Sequence, residues 1–374
     1  MKKFFLLAII ILLSLFYSKI IFADDINNKI LDQELNNYDF DNINSVINSN
    51  PDQDIPKINF ISLIKKIITG KFDFFSLIQI SNQIFFRDLN NNLYQTKKLF
   101  LLIILSSLIQ NLASAFKTSS VSQIAFYINY IIIINNLFFA FKNSFSITKT
   151  LLSNLINLIN SALPLIINLI FMTGKISSST IFNPIIFFIS DIMLLFINFL
   201  LPAINFFFML QIINNLTDKN LITNLALLTK NLISLSLKII AFFFMSILSL
   251  QRLAAPLIEN FFIKSTKFAV DLIPFVGETF TDAVDSIISW AYLIKNGVLI
   301  SFIIAIIFFC MAPILNLTAF VLIYKIFSAV TQPICNKQIL NCLESISSAH
   351  ILLLSCAFCA ITIFIFAIII FISI

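Results

Sequence analysis

Charge is scarce in this sequence: Asp, Glu, Lys and Arg together make up 11% of the 374 residues. Hydrophobic residues make up 59%, and the mean hydropathy is +0.99, far above that of an ordinary soluble domain. A water-soluble globule is excluded, and so is a chain disordered throughout, because disorder requires low hydrophobicity. The composition predicts an all-α, polytopic integral membrane protein.

Residues that build reactive or ligand-binding sites are also few. The chain has four glycines, one histidine and five cysteines, and it contains no G-x-x-x-x-G-K-[ST], G-x-S-x-G or H-E-x-x-H motif. The 24 Lys and Arg residues never form a dense block, so a nucleic-acid partner is not indicated either. We therefore expect no enzyme activity, no cofactor and no metal site.

The cysteines and the histidine fit packing better than chemistry. Cys356 and Cys359 form a C-x-x-C pair inside an apolar window, where small residues packing against a neighbouring helix are favoured over a redox motif. Cys335 and Cys342 precede that window and would pair only in an oxidising compartment. His350 stands alone at the predicted start of a helix, so a metal site is not expected there.

The first 23 residues have the layout of a secretory signal peptide, with Lys2 and Lys3, an apolar run, and Ala23 before an acidic start. An uncleaved anchor is the alternative, since about 18 apolar residues already span a bilayer. Both versions leave the following residues outside the cytoplasm. Residues 24–97 are therefore predicted to form an extracytoplasmic arm, loose where Asn and Asp dominate.

A short amphipathic helix is predicted within this arm. Ile58, Ile61, Ile64 and Ile68 recur at helical spacing, and two lysines lie on another face. Such a helix fits the membrane interface, and it fits equally well against the rest of the protein. The sequence leaves both alternatives open.

About seven apolar windows are long enough to cross about 30 Å of hydrocarbon at 1.5 Å per residue. They cover residues 98–116, 121–141, 151–173, 184–210, 225–250, 298–328 and 350–374. The first five form a membrane bundle over residues 98–250, and the last two form a C-terminal pair over 298–374. Pro164, Pro202 and Pro313 lie inside spans, where kinks or locally broken helices are expected.

The membrane orientation is poorly signalled, because the connecting loops carry one or two positive residues each on either side. With a cleaved signal and seven spans, alternation puts residues 251–297 and the C-terminus in the cytoplasm. One span more or fewer reverses this assignment.

Lys230 and Lys238 lie in the fifth apolar window, where charged side chains are costly and usually face a bundle interior or a wet cavity. They indicate a polar conduit or a structural ion pair, with Asp191 in the fourth window as the candidate partner. The alternative is that Lys230 reaches the interface, which leaves Lys238 as the deep charge.

Residues 251–297 contain two amphipathic patterns on either side of a break at Pro274 to Gly277. Asp282 and Asp285 belong to an acidic stripe on the second pattern, and Lys267 belongs to a mainly basic stripe on the first. If the chain folds back at the break, these charges come level with each other. A charge-paired helical hairpin that lies in the interface, or is partly re-entrant, is the hypothesis, and two solvated helix faces are the alternative.

Two blocks resemble a known family. They are the run DLIPFVGETFTDAVDSIISWAYLIKNGV and the following span around Pro313, which ends in Gln332-Pro333-Ile334. Both are similar to the C-terminal half of stage III sporulation protein AE of endospore-forming Firmicutes. Supporting features further up extend the resemblance over nearly the whole chain. One departure is Cys335-Asn336, where the family suggests Ser-Asp.

The resemblance implies a membrane subunit of the channel, or feeding-tube, apparatus between mother cell and forespore, lying in the mother-cell membrane and facing the forespore. It implies partners from the same operon, including ring-forming subunits and a secretion-type ATPase, and it supplies no catalytic residues. A stand-alone secondary transporter of a small solute is the competing hypothesis, since transporters also use interrupted helices and intramembrane charges.

Overall fold

The computed structural model describes residues 35, 38, 40–49, 57–115, 119–173, 187–216, 222–270 and 277–373, and it describes no side chains for 110–123 or 251–288. The regular structure in these ranges is helical. The helices are α1 (Asp41–Ile47), α2 (Phe60–Ile68), α3 (Phe74–Ala115), α4 (Ser119–Met172), α5 (Phe187–Asn214), α6 (Thr223–Val270), α7 (Gly277–Thr331) and α8 (Lys337–Ser373). The predicted signal peptide lies outside the described residues.

Five helical stretches in the described ranges are long and apolar enough to cross a membrane. They are Tyr127–Met172, Phe187–Asn214, Thr223–Ile247, Ser289–Thr331 and Lys337–Ile372. The all-helical membrane architecture is thus supported, whereas the predicted number of seven spans is not. The window 98–116 is the end of the 42-residue helix α3, and the windows 121–141 and 151–173 are parts of one helix.

Helix α4 joins two predicted spans because nothing between them breaks a helix. The connecting residues include Lys142, Ser144, Thr148 and Lys149, and their polarity predicted a loop. Ser144 and Thr148 are instead fully buried, and the Thr148 hydroxyl donates to the Ser144 carbonyl at 2.9 Å. At 54 residues, α4 is about 81 Å long.

The prolines inside the spans have different local effects. Helix α5 widens to a π-helical turn at Phe196–Leu200, where the Leu201 N–H donates to the Phe196 carbonyl, directly before Pro202. Because proline lacks an N–H and its ring crowds the preceding turn, a wider turn accommodates it there. Pro164 and Pro313 lie within α4 and α7, which are continuous helices.

The helices α4, α5, α7 and α8 meet around a buried aromatic centre. Phe141 on α4 stacks on Phe208 of α5 with ring centroids 4.1 Å apart. His350 on α8 is fully buried and stacks on Phe320 and Tyr324 of α7 at 5.4 and 5.3 Å. The predicted helix start at His350 is wrong, because α8 begins at Lys337.

Helices α7 and α8 pack along each other, and both bury small residues at regular spacing. Helix α7 buries Ala305, Ala312 and Ala319 at seven-residue spacing, and α8 buries Ala349, Cys356, Ala360 and Ala367. Small residues let membrane helices approach closely, and a seven-residue repeat keeps one face in contact. Burial of Cys356 as a free thiol agrees with the packing interpretation of the C-x-x-C pair.

The bundle has two ends, which we name from their contents. At the turn end, residues 332–336 connect α7 to α8, and α3 reaches them through a hydrogen bond from the Ser107 hydroxyl to the Ile334 carbonyl. At the arm end, α1 and α2 pack against the start of α7 and the end of α4. The arm and the start of α7 are therefore on the same end of the bundle.

Residues 40–49 of the arm are folded, which corrects the expectation of a loose segment at these positions. Phe40, Ile43 and Ile47 are buried and lie on one face of α1. Asn44 on α1 and Asn48 directly after it hold the next segment. The Asn44 side-chain oxygen accepts from the Phe60 N–H, and the Asn48 side chain donates to the Ile58 carbonyl and accepts from the Ile58 N–H, all at 2.9 Å. The sequence does not indicate this packing, because Asn and Asp interrupt the apolar spacing of these residues.

Helix α2 is capped at both ends by sequence-local groups. The Asn59 side chain accepts from the Ser62 N–H at 3.2 Å at its start. At its end, Gly70 has φ 67°, and the Gly70 and Lys71 N–H groups donate to the Ile67 and Lys66 carbonyls in a Schellman motif. The apolar face of α2 packs on the bundle, so the second of the two predicted alternatives is the one observed.

Gly297 of α7 lies directly against Ile68 of the arm. A Cβ atom at this position would lie 2.4 Å from Ile68 Cγ1 and 2.7 Å from its Cδ1. Real Cβ atoms do not approach that closely, so any side chain at 297 has to move α2 or the Ile68 side chain. The absence of a side chain at Gly297 is therefore a condition for docking the arm.

We expect Gly297→Ala to lower the free energy of unfolding by about 1–3 kcal/mol, the usual cost of overpacking. In an Ile68→Ala background the added methyl group fills the vacated space, so the same change should cost less than about 1 kcal/mol. The measurement is equilibrium unfolding in detergent. Val330→Ala, an exposed position on α7, is the matched control, and equal costs in both backgrounds would contradict the predicted contact.

Candidate functional site: buried polar groups of the bundle

The charges predicted for a conduit lie on the outside of the described structure. Lys238 and Asp191 are exposed and Lys230 is half-buried. Within the described residues no ion pair joins Asp191 to either lysine, so the structural pair expected inside one chain is not formed. A role for these residues in a conduit stays a prediction.

The predicted hairpin falls largely on undescribed positions. Helix α6 ends at Val270 and α7 begins at Gly277. Pro274 lies outside the described residues, and so do the side chains of Lys267, Asp282 and Asp285. The charge pairing of the hairpin therefore stays a prediction.

The two remaining predicted positions, both prolines, lie on α7 and in the turn after it. Pro313 is half-buried within α7, and Pro333 is exposed in the turn to α8. That turn is closed by the Ile334 and Cys335 N–H groups, which donate to the Thr331 carbonyl at 3.0 and 2.9 Å. Pro333 needs no N–H partner at this position, so it suits the turn.

Helix α3 presents a buried polar stripe that the sequence reading missed. Asp88, Asn92 and Thr96 are 3 to 5% exposed and follow each other at four-residue spacing on one helix face. The Asn92 amide donates to the side-chain oxygen of Asn316 on α7 at 3.4 Å. We call these four residues the polar seam. The i, i+4, i+8 spacing was a usable signal, but the charges nearby suggested an exposed segment.

The polar seam lies beside the proline of α7. Helices α3 and α7 run in the same direction, since Asn92 contacts Asn316, Phe100 contacts Phe327 and Ser107 contacts Ile334. This register puts Asp88 level with Ala312 and Pro313, where the helix lacks one backbone donor. One carboxylate oxygen of Asp88 accepts from the Arg87 guanidinium at 2.9 Å.

A second polar group closes the turn end of the bundle. The Tyr130 hydroxyl on α4 donates to the Asn215 carbonyl at 2.8 Å and accepts from the Cys342 thiol at 3.0 Å. The Asn215 amide donates to the Ser345 hydroxyl at 2.9 Å, which in turn lies 3.1 Å from the Gln211 side-chain oxygen. These bonds tie α4, the end of α5 and the start of α8 together.

One lysine is buried near the arm end. Lys295 is 1% exposed, and its ammonium lies 5.0 Å from the ring centroid of Tyr292 on the same helix. The cation–π contact with an aromatic face stabilises a cation away from water. The sequence reading had assigned Lys295 to the end of an interfacial hairpin, so its depth was not foreseen.

The seam and the turn-end group hold neighbouring helices together by hydrogen bonds between buried side chains. They are built from amides, hydroxyls, one thiol and one carboxylate. In the described part of the chain no three His, Cys, Asp or Glu residues are close enough to hold a metal ion.

We expect Asn316→Leu to lower the free energy of unfolding by about 1–3 kcal/mol, because it leaves the buried Asn92 amide without its partner. Replacing both Asn92 and Asn316 by leucine should restore at least half of the loss. Unfolding in detergent measures both, with the exposed Asn231→Leu on α6 as the control. If the losses of unfolding free energy in the two single variants add up in the double variant, the two amides are not coupled.

Cys335 lies outside the spans and should be the cysteine that reacts with a membrane-impermeant maleimide. Burial raises the pKa of its thiol, and a hydrogen bond with Thr331 lowers it by less. The thiolate is therefore scarce at neutral pH, and labelling should speed up as the pH rises towards 9. Mass spectrometry of labelled membranes checks this, and Cys335→Ser should abolish the signal. A rate that does not change with pH would contradict the raised pKa.

Comparison with known proteins places the chain. Residues 58–374 match the family model described as stage III sporulation protein AE. The chain is 29% identical over 255 residues to the stage III sporulation protein AE of Bacillus subtilis (strain 168). The aligned region covers 68% of this chain and 64% of the relative, just under two thirds of its length. No solved structure matches. The matched range covers most of the chain and includes the polar seam and all five candidate spans. The chain therefore belongs to the stage III sporulation protein AE family.

Proposed function

We propose that this chain is a membrane subunit of a channel complex between mother cell and forespore, required for endospore development. The observation that carries the proposal is the family match over residues 58–374. The helical spans and the polar seam are compatible with it, because a conduit subunit needs polar groups held within a membrane bundle.

The proposed mode of action is assembly, without enzyme activity of its own. The sequence lacks a nucleotide-binding motif, so energy would come from a partner. We propose a secretion-type ATPase and ring-forming subunits of the same operon as those partners. The proposed location is the mother-cell membrane, with the arm end facing the forespore side, since a cleaved or anchored signal leaves the arm outside the cytoplasm.

The test is deletion of the gene in its spore-forming host, scored by microscopy and by a late forespore reporter. We expect forespores that are engulfed and then collapse, with late forespore expression lost. The wild-type gene should restore sporulation, and Asn231→Leu, an exposed change on α6, should restore it equally well.

Normal spores combined with a growth defect on one solute would overturn the proposal in favour of a stand-alone transporter. A second assay separates the two functions independently. The purified chain alone in liposomes should move no solute if it acts as one subunit of a complex, whereas a transporter would move its solute without companions.

A further inference from the structure

The outer face of helix α4 differs from the outer faces of its neighbours. The exposed residues between 142 and 168 on α4 are Lys142, Asn143, Ser146, Lys149, Thr150, Asn157, Asn160, Pro164 and Asn168. We call this set the α4 polar face. On α5 and α6 most exposed side chains are apolar, among them Phe199, Phe206, Leu232 and Phe242. Exposed polar side chains on these two helices are fewer and include Asp191, Asn198, Asn231 and Lys238.

The part of the α4 polar face up to Asn160 lies at the same depth as a largely apolar outer face of α5. Phe141 of α4 stacks on Phe208 of α5, and Asn160 of α4 accepts from the Ser190 hydroxyl of α5 at 3.3 Å. Residues 141–160 of α4 are thus level with residues 190–208 of α5. That stretch of α5 is about 27 Å long, close to the thickness of the hydrocarbon core.

Lipid cannot be what covers both faces at this depth. Phe199 and Phe206 of α5 are 62% and 54% exposed, as expected for side chains that contact lipid tails. Lys142 and Lys149 are seven residues apart on one side of α4, and lysines and amides in hydrocarbon are costly. A membrane helix that contacts lipid normally turns its polar residues inward, whereas α4 turns them outward.

We propose that the α4 polar face is one wall of a water-filled conduit at membrane depth. The conduit favours anionic solutes, because the charges on this wall are the two lysines and residues 142–168 contain no Asp or Glu. The assignment of a conduit rests on the proposed channel function. Whether the α4 polar face contacts water is a separate property that can be measured by itself.

The test is cysteine accessibility in membranes of sporulating host cells that contain the whole complex. Asn143→Cys, Thr150→Cys and Asn157→Cys are introduced with Cys335→Ser and labelled with a membrane-impermeant methanethiosulfonate. Phe199→Cys and Phe206→Cys, at the same depth on α5, are the controls. We expect the α4 positions to react about tenfold faster or more, since thiols in lipid do not ionise.

Charge preference is measured on Asn157→Cys with two reagents, anionic sulfonatoethyl and cationic trimethylammonioethyl methanethiosulfonate. The anionic reagent should react faster, and Lys142→Gln with Lys149→Gln should remove that preference while leaving accessibility intact. A preference for the cationic reagent, or no preference, would overturn the anion-selective part.

Protection of all three α4 positions would overturn the proposal, and so would equal labelling of Phe199→Cys, because the bilayer would then lie elsewhere. The two proposals fail separately. If the α4 positions are labelled as expected but the deletion strain sporulates normally, the sporulation role is wrong and the contact of the α4 polar face with water stands. If the deletion strain fails to sporulate but the α4 positions are protected from labelling, the sporulation role stands and the contact with water is wrong.

Discussion

The close approach of α7 and α8 is the contact on which the rest of the bundle depends. In lipid there is no hydrophobic drive to bring two apolar helices together, so van der Waals packing between small residues has to supply it. The alanines of α7 and the small residues of α8 are buried at regular spacing, which suits such packing. Helices α2, α3 and α4 pack against α7, and α5 and α6 pack against α8.

Polar side chains are then placed where helices meet. The seam of Asp88, Asn92, Thr96 and Asn316 lies between α3 and α7, and the Tyr130 group lies between α4, α5 and α8. Such bonds fix which helices are neighbours, because a different packing would leave the same groups without partners in a water-poor interior. Apolar packing gives this bundle its cohesion, and the amides and hydroxyls give it one arrangement.

Much of the fold followed from the sequence, and the failures have physical causes. Composition was enough for an all-helical membrane protein, and the period of the isoleucines located α2. The continuity of α4 was missed because Lys142 and Lys149 were treated as loop residues, although no glycine or proline interrupts the helix there. Burial was harder still: whether Lys238 or Lys295 faces inward depends on which neighbour covers it, and helical spacing alone does not specify the neighbour.

The residues predicted for the site and the buried polar groups are different sets. Charge in an apolar window is conspicuous and points to Asp191, Lys230 and Lys238, whose role stays a prediction. Most buried polar contacts come instead from Asn, Thr, Ser and Tyr, which are common everywhere in this chain. A shared helix face was the signal for Asp88, Asn92 and Thr96. Their partner Asn316 lies 224 residues away and has no local signature.

The contact of Ile68 with Gly297 also sets an order of events during synthesis. The two residues are about 230 positions apart, so at 5–20 residues per second the arm precedes its docking site by roughly 10–45 s. During that interval the apolar face of α2 has no α7 to cover it, and the membrane interface is the nearest apolar surface. Docking of the arm on α7 therefore has to wait until α7 has been synthesised.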